Sequence, residues 1–362
     1  MKVQTNFQKV GLTKIVARFV ANKLLKYSIA QKALFLFGLA FLQVPKENRK
    51  SDYCKNFFVV VTVDVEPGYV DTDGSKNWHA KDAFEGYIYG LQNLLALAKK
   101  HNVKFTFLLD THAFSAKGKA YRDIVRQLKQ LLREGHELGF HLHPKDDLAL
   151  QKKLGKKFDY TCASFYNTKE IVSMLKAGRE LIREHLGHKI EKEVVSFRWG
   201  NWGLSSQGVK ALARTGFRID TSSCPGIKRH QADDLRCDWT GITTTQPWLL
   251  NSSDLKDTLN GNSVVMEIPI ATATLFNKVI LADPNYSTLL QVLFRKHYYM
   301  AQSYHNSYSF VVFTHSNEAT LKDGQSTPTL QQLDNFLNYL KDYNYVKVVP
   351  LHKAGQILRG LK

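Results

Sequence analysis

The sequence predicts an α/β fold, a distorted (β/α) barrel of seven or eight parallel strands carrying a basic helical N-terminal extension, and three observations support that expectation. From about residue 55 onward, short apolar runs alternate with helical stretches, the pattern of parallel strands with helices outside them. Polar and titratable residues collect at the ends of several runs, and barrels keep their chemistry at the C-terminal ends of their strands. The first fifty residues follow a different rule from everything after them.

That extension comes first in chain order. The whole chain of 362 residues carries 50 Lys and Arg against 32 Asp and Glu, a net charge of +18. Residues 1–50 hold ten of the basic residues and one acid, Glu47, so half of the excess sits in about a seventh of the length. Between residues 10 and 27, Leu12, Ile15, Val16, Phe19, Val20, Leu24 and Leu25 recur at helical spacing, with Lys14, Arg18, Lys23 and Lys26 between them. This is a basic amphipathic helix, a pattern suited to an anionic membrane surface. The apolar run at 33–44 has twelve residues, whereas about twenty are needed to span a bilayer. A cleaved signal peptide fits poorly too, because the charged leader is some thirty residues long and the run ends in Gln43-Val44-Pro45. Two helices packed on the main domain and peripheral membrane attachment through residues 10–44 both stay open.

The remainder, 55–362, reads as one domain. Its candidate strands are 57–63, 104–109, 138–143, 194–198, 217–220, 264–268, 310–314 and 346–349. Helical patterns occupy 85–101, 121–134, 169–186, 205–215 and 329–342, and 225–262 has no clear period and reads as a long insertion or active-site loop. A hydrophobic share of 44% excludes wholesale disorder. Cys54, Cys162, Cys224 and Cys237 form no Cys-x-x-Cys pair, which leaves a zinc ribbon or a thioredoxin-type site unsupported. Nucleic-acid binding would use the charge, but no recognition motif accompanies it.

The chemistry-bearing residues follow from side-chain alternation. The first strand ends Asp64-Val65-Glu66, and residues two apart in an extended chain share a face. Two carboxylates at the end of an apolar strand are unfavourable without a compensating cation or basic group. His141 and His143 end the third strand with the same spacing, which suits two imidazoles on one metal ion. Phe140 occupies the place where a His-Glu-x-x-His motif needs its second histidine, so the helical zincin site is absent. Arg198 ends the fourth strand, where a guanidinium can clamp a carboxylate. Trp199 and Trp202 follow it as candidate sugar platforms, with core packing as the plainer account of each. Asp220 ends the fifth strand and His315 the seventh.

In order and phrasing the set resembles the polysaccharide deacetylases, the NodB-homology group of carbohydrate esterase family four. The matching phrases are TVDVE, GHELGFHLHP, SFRWGNWGLS, GFRIDTSS, MEIP and FVVFTHS, and the likeness covers roughly residues 55–350. Two departures stand out. Val65 occupies the place of the second of two adjacent aspartates, leaving Glu66 as the ligand, and the histidines are spaced His-x-His rather than His-x-x-x-His. The resemblance implies a hydrolase that removes an N-acetyl or other acyl group from an amino sugar in a polysaccharide or lipid-linked glycan. It implies one divalent ion, with zinc the first choice, on Glu66, His141 and His143. Asp64 is then the general base, aimed by Arg198, and His315 the general acid, oriented by Asp220, with Asp238 as a second candidate for that carboxylate. An amino-sugar glycan is the expected partner, and the expected location is the bacterial cytoplasm or the inner face of its membrane, an exported form with an uncleaved anchor ranking below it. The alternatives are a deformylase or cyclic amide hydrolase, and a barrel that binds glycan without turnover.

Overall fold

The computed structural model describes residues 35–38, 40, 56–77, 82–230, 236–275, 278–301, 307–343 and 345–360. The amphipathic helix expected at 10–27 lies outside the described residues, as does Cys54. Of the apolar run at 33–44, residues 35–38 and 40 are helical.

The strands are β1 (Phe57–Val65), β2 (Thr106–Asp110), β3 (Glu137–Leu142), β4 (Ser196–Trp199), β5 (Ile219–Asp220), β6 (Lys228–His230), β7 (Arg236–Asp238), β8 (Trp248–Leu249), β9 (Met266–Glu267), β10 (Thr272–Leu275), β11 (Lys278–Leu281), β12 (Tyr308–His315) and β13 (Val346–Val348). The helices are α1 (Leu91–His101), α2 (Gly118–Arg133), α3 (Leu148–Leu154), α4 (Thr168–Leu186), α5 (His188–Glu193), α6 (Ser206–Arg214), α7 (Thr288–Ala301), α8 (Pro328–Leu340) and α9 (Leu351–Gly360).

Seven parallel strands run in the order β12-β1-β2-β3-β4-β5-β9, with β8 antiparallel on the far side of β9. The sheet curls until its two ends meet in one parallel bridge, Ile270 with Val311, supported by the Ala271 amide donating to the Val311 carbonyl at 3.0 Å. The fold is therefore a distorted barrel of seven parallel strands. The segment expected as an eighth stave, 346–349, instead pairs with the first three residues of β1. All nine residues of β1 are buried, which is why that strand reads as an unbroken apolar run rather than an alternating one.

Helices cover the outside. Four of them, α3, α5, α7 and α9, were not expected. Along α7, Leu290, Val292, Leu293, Phe294, His297 and Tyr298 are all buried, so its sequence shows little of the contrast that marks a surface helix. Gly38 lies against Val292 of α7, and the Arg295 guanidinium sits 5.6 Å from the centre of the Phe35 ring. On the same turn Leu36 and Phe37 remain 65% and 53% exposed. The long stretch after Pro225 holds the β6–β7 hairpin and β8, as an insertion at the C-terminal end of the barrel. Cys162, Cys224 and Cys237 are buried.

Candidate metal centre and active site

Strand register brings the polar residues to one level. Asp64 pairs with His315 across β1 and β12, His141 with Asp110 and with Arg198, and Asp220 with Glu267. All of these positions are C-terminal ends of parallel strands, which a seven-membered ring turns into one ring of side chains.

Glu66, His141 and His143 converge. The Nε2 atoms of the two histidines are 3.0 Å apart, and each is 2.9 Å from Glu66 Oε1. The circumradius of that triangle is about 1.7 Å, shorter than metal–ligand bonds of about 2.0–2.1 Å, so the spacing of Glu66, His141 and His143 would let them hold one divalent ion together. The donor chemistry agrees. His141 Nδ1 donates to the Arg198 carbonyl at 3.0 Å, which leaves a lone pair on Nε2, the orientation that metal-bound histidines take. An imidazole lone pair aimed at another imidazole and a carboxylate is repulsive unless a cation or proton lies between them. Burial works against ionisation of Glu66, but the contacts of its carboxylate with the His141 and His143 rings outweigh it and hold the carboxyl well below the usual range. For His143, burial favours the neutral ring, and the Glu66 hydrogen bond and charge overcome it, raising the imidazole. These residues fit a divalent ion.

Local packing fixes the ligands. Gly200, just after β4, lies flat against His143, where a Cβ would fall 2.6 Å from Cε1 and 2.7 Å from Cγ and Nδ1. Gly86 and Gly90 begin and end a π-helical turn that presses on the loops carrying Glu66 and Ser316. A Cβ at Gly86 would meet the Glu66 carbonyl and one at Gly90 the Ser316 carbonyl, both closer than any real contact. Glycine at these two positions lets the helix sit on the site.

Beside the triangle, Arg198 is fully buried. Its Nη1 donates to Asp64 Oδ1 at 2.7 Å, Nη2 to Thr62 Oγ1 at 2.7 Å and Nε to the Thr221 carbonyl at 2.9 Å. Asp64 Oδ2 faces inward, 3.7 Å from His141 Nε2. His315 Nε2 stands 4.0 Å from Glu66 Oε2 on the other flank.

Three expectations are corrected. The carboxylate at His315 is Glu318, not Asp220: Nδ1 lies 3.1 Å from Glu318 Oε2, and Glu318 is itself ion-paired with Lys76. Burial disfavours the charged imidazole, but Glu318 overrides it and pushes His315 up to about 9. Burial likewise resists ionisation of Glu318, and His315 and Lys76 bring it down to about 2. Asp220 is instead bound by the amide and hydroxyl of Ser222 and lies beside Glu267, whose carboxyl burial and the Asp220 charge push well above its usual range. Asp238, the second candidate, is on the β6–β7 hairpin and pairs with Lys256 and Lys228. Finally, Trp199 is 0% exposed, with its indole N–H on the Thr161 carbonyl, and Trp202 is covered by the Arg229 guanidinium at 4.2 Å while its ring meets Phe313. Neither tryptophan offers an open face to a sugar.

A second acidic pair was missed. Asp110 and Asp147 are buried next to each other. Burial and the Asp147 charge push Asp110 well above its usual range, and the Asp147 Oδ1 atom caps α3 through the Leu150 amide at 2.8 Å. The Asp147 amide donates to the His143 carbonyl at 2.9 Å, so this pair anchors the turn that carries His143.

Solved structures with the same fold put the barrel in context. A chain assigned as a polysaccharide deacetylase from Mycobacterium smegmatis superposes with a TM-score of 0.53 at 15% identity, covering 88% of this chain and 94% of its own. A chain assigned as a glycoside hydrolase/deacetylase from Parabacteroides distasonis gives 0.56 at 12% identity, covering 85% and 72%. An allantoinase (Puue) gives 0.51 at 11% identity, covering 87% and 93%. No family profile and no curated protein matches the sequence. The chain shares the barrel fold of these structures.

Proposed function

We propose that the chain is a metal-dependent hydrolase that removes an N-acyl group, acetyl first, from an amino sugar in a polysaccharide or lipid-linked glycan. The observation that carries the reading is the convergence of Glu66, His141 and His143 between Asp64, fixed by Arg198, and His315, fixed by Glu318. The deacetylases that share the fold support the choice of reaction.

A divalent ion at this triangle, zinc on the donor set, supplies Lewis-acid polarisation of the acyl carbonyl and acidification of water. The chain's own groups do the rest. Asp64 has one oxygen tied to Arg198 and keeps Oδ2 to take the proton of the attacking water. His315, held positively charged by Glu318, delivers a proton from Nε2 to the departing amine. Asp220 enters through the charge it shares with buried Arg198.

Peripheral attachment to an anionic membrane, on the cytoplasmic side in a bacterium, is supported by the basic pattern of residues 10–27 and by exposed Leu36 and Phe37. Among the described residues no helix is long and apolar enough to cross a membrane. Such a location would bring the barrel to lipid-linked intermediates of surface-glycan assembly. Removing residues 1–34 should shift the protein from the membrane fraction to the supernatant, and an unchanged distribution refutes attachment.

The test of the enzyme reading pairs two variants. His141→Ala should lose bound metal, and Asp64→Asn should keep metal and lose turnover on N-acetylated glycans. Normal turnover by Asp64→Asn would remove Asp64 as the base. The likeness to an allantoinase favours one second reading, hydrolysis of a formamide or cyclic amide by the same residues. Measuring acetate release, formate release and ring opening separately divides the two.

A further inference from the structure

At the opposite end of the barrel from these residues, where β3, β4 and β5 begin, α9 and α5 enclose a cavity of about 500 Å³. That volume lies within the range of small-molecule sites, about 300–1,000 Å³. Its wall is mostly apolar, formed by Leu132, Leu138, Ile190, Val195 and Ile219. Three side chains with hydrogen-bond donors line it, Arg218, Arg359 and His136. Arg359 uses Nη2 on the carbonyls of Arg218 and Val264, while its Nε–H is buried with no hydrogen-bond partner. Arg218 stands alongside, exposed, close enough that its charge adds to burial in lowering the Arg359 guanidinium. His136 accepts the Phe105 amide on Nδ1 at 3.0 Å, so its proton is on Nε2, which is buried without a hydrogen-bond partner, the Glu134 carboxylate being 3.8 Å away.

The acid in the floor does not neutralise them. Glu137 already accepts from Thr106, Ser196 and the His352 amide, and it pairs with the His352 ring at 3.2 Å. Glu193 is exposed at the rim. Two guanidinium groups and a buried N–H thus meet a mostly apolar chamber whose remaining carboxylate, Glu193, is exposed to water at the rim.

We propose that this basal cavity binds a small amphiphilic anion, its carboxylate or phosphate on Arg218, Arg359 and His136 and its apolar body against Leu138, Ile190 and Ile219. The site is separate from the metal centre, and the proposal stands whether or not the chain is a deacetylase. Charged groups make their strongest hydrogen bonds to anions in such partly dry surroundings, and the apolar wall adds affinity that an inorganic anion lacks.

Isothermal titration of the full chain with octanoate, with octanol as the uncharged match, tests it. Octanoate should bind saturably at one site per chain, and octanol should bind at least about tenfold more weakly. Arg359→Gln and, separately, Arg218→Gln at its exposed position should each weaken octanoate by about tenfold. Gln356→Trp, an exposed lining residue enlarged to fill the chamber, should abolish binding with the circular dichroism spectrum unchanged. Absence of saturable binding, equal affinity for octanol, or octanoate affinity unaltered in all three variants would overturn the proposal.

Discussion

Replacing Gly200 with alanine should disable the metal centre without touching a ligand. The new Cβ would lie 2.6–2.7 Å from three atoms of the His143 ring. Unstrained carbon contacts are about 3.5–4.0 Å, so the ring has to retreat by about 1 Å. Gly200 is not among the glycines with positive φ, so the backbone accepts alanine and the whole effect falls on the neighbouring imidazole. The three ligand atoms now span 2.9–3.0 Å, and sites of this kind tolerate about 0.5 Å of error. Displacements of this order typically cost about 10–100-fold in metal affinity. Competition with a zinc chelator, read on wild type, Gly200→Ala, His143→Ala and the double variant, measures the effect. The two substitutions should be strongly non-additive, because alanine at 200 acts through a ring that alanine at 143 removes. Wild-type affinity in Gly200→Ala, or fully additive losses in the double variant, would refute the argument.

Three further outcomes follow from the same geometry. Zinc should raise the melting temperature and a chelator lower it, with stabilisation near 2.7 kcal/mol at about 100 times Kd; His141→Ala should not respond. Glu318→Gln should move the alkaline limb of the pH–rate profile to lower pH, since the charge that holds His315 at about 9 is gone, and Asp220→Asn should leave that limb in place. His297 is buried between the Tyr308 hydroxyl and the Thr272 carbonyl, and burial pushes it down to about 4. The unfolded chain therefore binds a proton that the folded chain refuses between about pH 6.5 and 4, and stability falls by about 3 kcal/mol as pH drops through that window. Denaturant unfolding should show a shallower acid slope in His297→Gln.

Much of this was legible because strand chemistry has a period of two. Asp64 with Glu66 and His141 with His143 had to share faces, and the barrel rule had to bring strand ends together, so the triangle needed no long-range information beyond the fold class. The partner of His315 did need it. Glu318 sits three residues on, in a tight turn of 3-10 geometry, and nothing in the sequence distinguishes it from a solvated loop acid until Lys76 arrives from the other side. Asp220 was misread because Glu267, in the MEIP phrase, was counted as part of an apolar strand, although it is the group lying beside Asp220. The tryptophans failed as platforms for a general reason: large rings next to glycines at a strand end are as well suited to filling a core as to lining a cleft. Helix α7 was overlooked because period-based reading needs a polar side, and α7 is covered along most of its length.

Among the described residues the ring of staves closes between β9 and β12 through one paired position, Ile270 with Val311, and the amide bonds of Ala271 to Val311 and of Phe313 to Ala282, whereas β1 and β12 share eight paired positions. Free energy for local opening rises with the ladder that must be broken, so this junction is the thinnest of the barrel's seams, with β4–β5 and β5–β9 next at two paired positions each. Amide exchange near Ala271 should outpace that of β1, so breathing of the wall begins at this junction.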